Sequence, residues 1–307
     1  MEAGKIKLVE RILTYPITKE YDGLSIKEFL KKQNYSDQLI IALKKMEQSI
    51  LVNDVWCYVN HILCNHDQLV IKIKEQGLSE KISPVSLPLS IVYEDDDLLV
   101  LNKAANMPIH PSMKHSHSTL ANAVMYYYLS KGCPFTFRCV NRLDKDTSGL
   151  TIIAKNMLSA SILSTQVANK ALTREYLAIV NGIPTTLDGT IDAPIARVSD
   201  SIIEREVNQI TGETAITHYH TLKTYTSLAL LSLTLETGRT HQIRVHLKHM
   251  NHPIIGDFLY NPDFTYIQRQ ALHSYRLSFS HPITHEPLTF IAPLPSDMQS
   301  ILDSFNT

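Results

Sequence analysis

Apolar residues follow two different rhythms along this chain, and the change comes near residue 90. In the first part, Ile26, Phe29 and Leu30 recur at helical spacing. Leu39, Ile40 and Leu43 do so again after Ser36, a residue suited to capping a helix. Residues 50–55 read as a strand entering a tight turn, and residues 69–73, after Asp67, read as a closing strand. Residues 74–90 hold Gly77, Pro84 and Pro88 among serines and lysines without any period, which is the composition of a linker. From Ile91 onward short apolar runs dominate. Residues 98–101, 150–154, 176–180, 216–225 and 228–235 predict strands, and residues 119–129, 158–168, 240–250 and 297–305 predict helices. Strands and helices without regular alternation predict an α+β fold rather than a doubly wound sheet. The expected plan is a small α+β domain over 1–75, a linker over 76–90 crossed by few contacts, and a larger domain over 91–307.

Composition narrows the class. A chain of 307 residues, 44% hydrophobic and 19% charged, has material for about two ordinary globular domains. The formal charge of −1 does not advertise a nucleic-acid partner, so the placement of the cations matters more than their number. No apolar run reaches membrane length and the first residues carry no signal-peptide pattern, so the cytoplasm is the expected location. Cys57, Cys64, Cys133 and Cys139 form no C-x-x-C pair and read as free, mostly buried thiols.

The order of elements over residues 25–73 resembles the αL-type RNA-binding module first known from a small-subunit ribosomal protein. Asp37 stands where that module usually has Arg, and its usual Gly before Val52-Asn53 is absent. A generic small α+β domain is the other reading.

The densest chemistry lies in Asn141-Arg142-Leu143-Asp144-Lys145-Asp146-Thr147-Ser148-Gly149-Leu150, where turn residues feed directly into a strand. Such a loop holds short side chains rigidly while exposing them. This stretch resembles the signature of the RluA-type RNA pseudouridine synthases, and three further segments match that family in order. They are Asp97–Lys103 with Met107, Pro108, His110 and Pro111; Arg174–Gly182; and Thr237–His246 with Pro253, Ile254, Gly256, Asp257 and Tyr260. Leu272-His273 and Ala292-Pro293-Leu294-Pro295 match the family's C-terminal end. Two departures stand out. Asn141 replaces the family's usual His, and the opening motif reads Ala104-Ala105-Asn106 where Pro and Gly are usual.

The resemblance implies a mixed, mostly antiparallel sheet with a central cleft. It also implies an enzyme that isomerises specific uridines in structured RNA, large-subunit ribosomal RNA before transfer RNA, acting as a monomer. It nominates Asp144 as the catalytic carboxylate and Arg244 as its cationic partner, in a bidentate pair that keeps it ionised. Arg142 would brace the stack that a flipped uridine leaves, with Tyr176 and Ile243 packing on the base. In the helix over 240–250, Ile243, Leu247 and Met250 would face the core, while His241, Arg244 and Lys248 share a polar face. The alternative is a non-catalytic RNA-binding or ribosome-assembly protein on the same fold, for which Asn141 is the one supporting feature.

Turning uridine into pseudouridine breaks the bond from ribose to N1, turns the base and rejoins it through carbon 5. Nothing is oxidised, hydrolysed or phosphorylated, so no cofactor is expected. An ionised carboxylate beside the sugar acts either as a nucleophile or as a base that removes a ribose proton. Seven of the fourteen histidines, His110, His115, His117, His241, His246, His249 and His252, fall in two groups without metal-ligand spacing, and a partly RNA-facing set is expected instead. Turnover should therefore be unchanged by a chelator when spermidine replaces the magnesium that folds the RNA. Stimulation by added zinc would contradict this.

Overall fold

A computed structural model of the chain describes residues 10–75, 79 and 82–305. Its first part runs β1 (Glu10–Pro16), α1 (Ile26–Lys32), α2 (Asp37–Lys45), β2 (Ile50–Val52), β3 (Val55–Trp56) and β4 (Gln68–Lys74). Ser25 and Ser36 cap the two helices through their hydroxyls, so the caps set where each begins. The four strands form one sheet in the order β1-β4-β2-β3, with Glu10 opposite Lys74 and Pro16 opposite Gln68. Strand β1 escapes sequence analysis because only Leu13 of its seven residues is buried, which leaves no apolar alternation to read. Phe29, Leu30, Leu39, Ile40 and Leu43 close over Ile50, Leu69, Ile71 and Ile73 to make its core.

The second part supplies β5 (Ile91–Glu94), β6 (Leu98–Lys103), α3 (Leu120–Ser130), β7 (Ser148–Ala154), α4 (Met157–Ala168), β8 (Thr173–Asn181) and β9 (Asp188–Asp192). It continues with β10 (Ile195–Arg197), β11 (Arg205–Val207), β12 (Ile216–Thr224), β13 (Leu228–Leu235), α5 (Gln242–His249), β14 (Leu272–Ser280), β15 (Pro287–Ile291) and α6 (Ser296–Ser304). Nine of these strands form one sheet in the order β5-β6-β7-β14-β8-β13-β12-β9, with β15 beside β14. Strands β10 and β11 pair as a separate ribbon. The fold is α+β and the large sheet is antiparallel except between β7 and β14. No helix among the described residues is long and apolar enough to cross a membrane.

That parallel contact is short, joining His273 to Ser148 and Ser274 to Gly149. It connects the two halves of the sheet directly beneath the loop that leads into β7. Gly149 has φ of +109°, and a Cβ there would lie 2.3 Å from the carbonyl oxygen of Ser274. No other residue type fits. The Thr-Ser-Gly turn legible in the sequence is therefore what lets the two half-sheets meet.

Contacts between the first four strands and the rest are more extensive than the linker composition predicts. Arg11 on β1 grips Asp97 with two hydrogen bonds of 2.9 and 2.7 Å, and Asn156 donates a third to the same carboxylate. Glu75 accepts from Arg138 at 2.6 Å and from the backbone of Met157 at 3.0 Å. Leu158 and Ile162 of α4 complete the core under α1 and α2. Residues 82–89 are also fixed: Ile82 and Leu89 pack on the core beneath α3, and Val85 bonds to the Asn122 carbonyl. Lack of period misleads here because these bonds are made by backbone and by partners distant in sequence. Two smaller expectations are corrected as well. None of the four thiols is fully buried, Cys64 being exposed. His246 and His273, by contrast, lie in the interior.

Asp97 is 2% exposed, so removing its guanidinium partner strands a buried charge. Arg11→Ala should lower stability to unfolding by about 3 kcal/mol. Urea denaturation would read this, and a change below experimental error would show that the first sheet merely leans on the second.

Candidate active site

The loop from Cys139 to Thr147 is held by its backbone from three directions. Asn141 is buried, accepts from the Ile152 N–H at 2.8 Å and donates to the Leu150 carbonyl at 3.1 Å. Its amide thus pairs with the edge of β7 as another strand would. Lys103, also buried, spends its three hydrogens on the carbonyls of Ala104, Met107 and Lys145. Burial pulls the pKa of this lysine down to about 7, against the attraction of Asp146 and Asp144. Arg269 reaches the Asp146 carbonyl at 3.2 Å, and Gln270 reaches the Thr147 hydroxyl at 3.2 Å. Leu143 is driven into the core beside Tyr176 and Ile243, which turns Arg142 out to solvent and Asp144 into the cleft.

Arg142, Asp144, Tyr176, Ile243 and Arg244 all line one cavity of about 580 Å³. Arg244 Nη1 donates to Asp144 at 2.9 Å. The expected bidentate pair exists, but with a different partner. Nε and Nη2 of Arg244 each lie 2.7 Å from Asp257, leaving one bond for Asp144. Asp257 is fully buried and also accepts from the N–H groups of Leu259 and Tyr260. Burial alone would lower the Arg244 pKa, but its bonds to Asp257 and the charge of Asp144 outweigh that and raise it. The guanidinium also sits between the rings of Phe258 and Tyr260, 5.4 and 5.0 Å from their centres.

Helix α5 departs from expectation in a way that matters. It starts at Gln242 rather than Thr240, and His241 precedes it in the left-handed region at φ of +58°. The expected polar face divides: Arg244 is buried, His241 is half-buried and only Lys248 is exposed, while Gln242 and His246 are buried as well. His241 is the site residue that sequence analysis placed without a role. Its Nδ1 bonds the Tyr260 hydroxyl at 2.9 Å and its Nε2 lies 3.9 Å from Asp144. Burial lowers its pKa despite the pull of Asp144. Tyr176 on β8 is buried within hydrogen-bonding reach of Ser274, and burial raises its phenol pKa.

The sequence profile described as RNA pseudouridylate synthase matches residues 97–249, the span that contains Asp144, Tyr176 and Arg244. The chain belongs to this family. A Bacillus subtilis relative named as the uncharacterized RNA pseudouridine synthase YjbO is 39% identical over 283 residues, covering 92% of this chain and all of the relative. The Haemophilus ducreyi protein named ribosomal large subunit pseudouridine synthase D is 39% identical over 241 residues, 74% of each chain. Among solved structures, human RNA Pseudouridylate Synthase Domain Containing 4 superposes with a TM-score of 0.58 at 23% identity, covering 71% of this chain and 93% of that one. That likeness concerns the fold. The chain is an RluA-type RNA pseudouridine synthase, an isomerase with RNA as its substrate.

Two substitutions separate chemistry from positioning. Asp144→Asn keeps the shape of the carboxylate and removes its charge, and should reduce turnover below a few per cent of wild type while leaving fold and RNA binding intact. Asp257→Asn leaves Asp144 in place but loosens Arg244. A bond between charged groups is worth about 1.5–3 kcal/mol, so its kcat should fall roughly 10–100-fold. Single-turnover measurement on both variants checks this, and equal, complete loss in Asp257→Asn would assign Asp257 to the chemistry instead.

Proposed function

We propose that this enzyme isomerises uridines in large-subunit ribosomal RNA, with Asp144 acting at the ribose of a uridine flipped into the cavity beside Tyr176. The observation that carries the reading is the chain of charge from Asp257 through Arg244 to Asp144. A buried guanidinium fixed on one carboxylate presents its last N–H to a second, half-exposed one. Asp144 is thereby oriented, with a fixed cation beside the carboxylate that serves as either a nucleophile or a base. Ile243 and Tyr176 supply flat and apolar walls for a base, and aromatic stacking at about 1–3 kcal/mol offsets much of the cost of extruding it. On this reading Arg142, which is exposed, lines the cavity and has no ion-pair partner among the described residues, supports the RNA left behind.

The choice of ribosomal RNA over transfer RNA rests on the relatives named for the large subunit, including the Haemophilus ducreyi protein. The reading extends to the first sheet as a second RNA contact, through Lys27, Lys32, Lys44 and Lys45 on and beside α1 and α2. Lys31 is already committed to Asp37 at 2.6 Å, so the residue that departs from the αL-type pattern removes one cation from that patch.

Pseudouridine mapping in a strain lacking this gene, against its parent, tests the substrate. One or more sites should vanish from large-subunit ribosomal RNA and return with the wild-type gene but not with Asp144→Asn. Losses confined to transfer RNA would overturn the ribosomal assignment.

A further inference from the structure

Arg174 stands two residues before Tyr176 on β8, and strand alternation turns both toward the same side. It lines the same cavity as Asp144 and is 8% exposed. Its bonding is unlike that of Arg244 and Arg239, and unlike Arg142, which also lacks a carboxylate, it is buried. Arg244 meets two carboxylates, and Arg239 pairs with Glu213 and the Thr214 carbonyl. Arg174 meets no carboxylate among the described residues. One long bond of 3.4 Å reaches the Thr237 carbonyl, and its Nε is buried without any partner. Gly238 leaves it room, since a Cβ there would come within 3.0 Å of Nη1.

A buried guanidinium with no carboxylate beside it and its Nε unpaired is costly, by several kcal/mol for an unpaired buried ion. Nothing in the fold repays that cost. Structural arginines in this same molecule, such as Arg11 and Arg138, have their carboxylates. Asp144 is the one carboxylate among the cavity-lining residues, and Arg244 already engages it. The vacant charge therefore faces the substrate cleft, about two strand residues or roughly 7 Å along the backbone from the tyrosine.

We propose that Arg174 binds a backbone phosphate adjoining the flipped uridine. The proposal rests on the reading that the uridine lies against Asp144 and Tyr176, and it adds a recognition element for the nucleotide rather than the base. The planar guanidinium suits a phosphate, which accepts two of its N–H groups side by side. It also explains how a chain with a net charge of −1 receives RNA: the compensating charge lies inside the cleft.

Thermal unfolding of the full-length protein, titrated separately with uridine, uridine 5′-monophosphate, uridine 3′-monophosphate and inorganic phosphate, tests this. A ligand bound only to the folded state raises Tm, by an amount that grows with the logarithm of its concentration once that exceeds Kd. One of the monophosphates should act at about tenfold lower concentration than uridine, the gain of one charge-assisted hydrogen bond. Arg174→Gln should abolish that gap while keeping the response to uridine, and Arg174→Lys should retain part of it. Equal responses to uridine and both monophosphates in the wild type would overturn the proposal, as would a gap that persists in Arg174→Gln. Inorganic phosphate acting as strongly as the nucleotides would also overturn it, by showing an anion site unrelated to the substrate. Loss of the uridine response itself in the wild type would count against the base pocket instead. Should Arg174→Gln fail to fold, the wild-type comparison and Arg174→Lys decide.

Discussion

A single guanidinium is buried between two carboxylates at the centre of this molecule, and most of the architecture around it serves to make that tolerable. Arg244 would be expensive to bury alone, and Asp257 would be equally so. Together they satisfy one another, with the backbone N–H groups of Leu259 and Tyr260 completing Asp257 and two aromatic rings flanking the cation. The third partner, Asp144, is the one left in reach of solvent. This asymmetry lets a wholly structural ion pair govern a group that must meet substrate.

The loop that carries Asp144 depends on a second set of buried polar groups. Lys103 and the adjacent pair Arg269 and Gln270 reach in from two distant segments to its backbone and to the Thr147 hydroxyl, while Asn141 ties the loop to the strand it enters. Asn141 is informative because it departs from the family's usual residue. Its side-chain amide donates to the Leu150 carbonyl and accepts from the Ile152 N–H on the buried edge of β7, so here it braces the loop as a short extra strand would. Gly149 completes the arrangement by allowing β14 to approach β7. A rigid loop over a seam in the sheet places short side chains to within the tolerance that catalysis demands.

The first sheet is fastened to the second by Arg11–Asp97 and Glu75–Arg138, and by α4 packing into its core. Any RNA it contacts would be held at a fixed distance from the cleft. Asp95, Asp97 and His281 lie close enough together to suggest a cation site, but their oxygens are already occupied by Arg11, Asn156, Tyr93 and backbone N–H groups. The cluster serves this attachment.

By itself the sequence determined the local matters. Capping serines, apolar runs and turn residues placed α1, α2 and the strands of the cleft, because those signals act over a few residues. The ordered motifs named the family and brought forward Arg142, Asp144, Tyr176, Ile243 and Arg244, which share one cavity. Tertiary structure decided whatever depends on partners distant in the chain. Strand β1 is held by its pairing with β4 rather than by its own pattern, and residues 82–89 by Asn122 and the core under α3. The exchange of Arg244 partners, the proximity of His241 to Asp144 and the unpaired charge of Arg174 belong to the same class. Each is a balance of burial against hydrogen bonding, and a linear sequence does not record which polar groups are enclosed together.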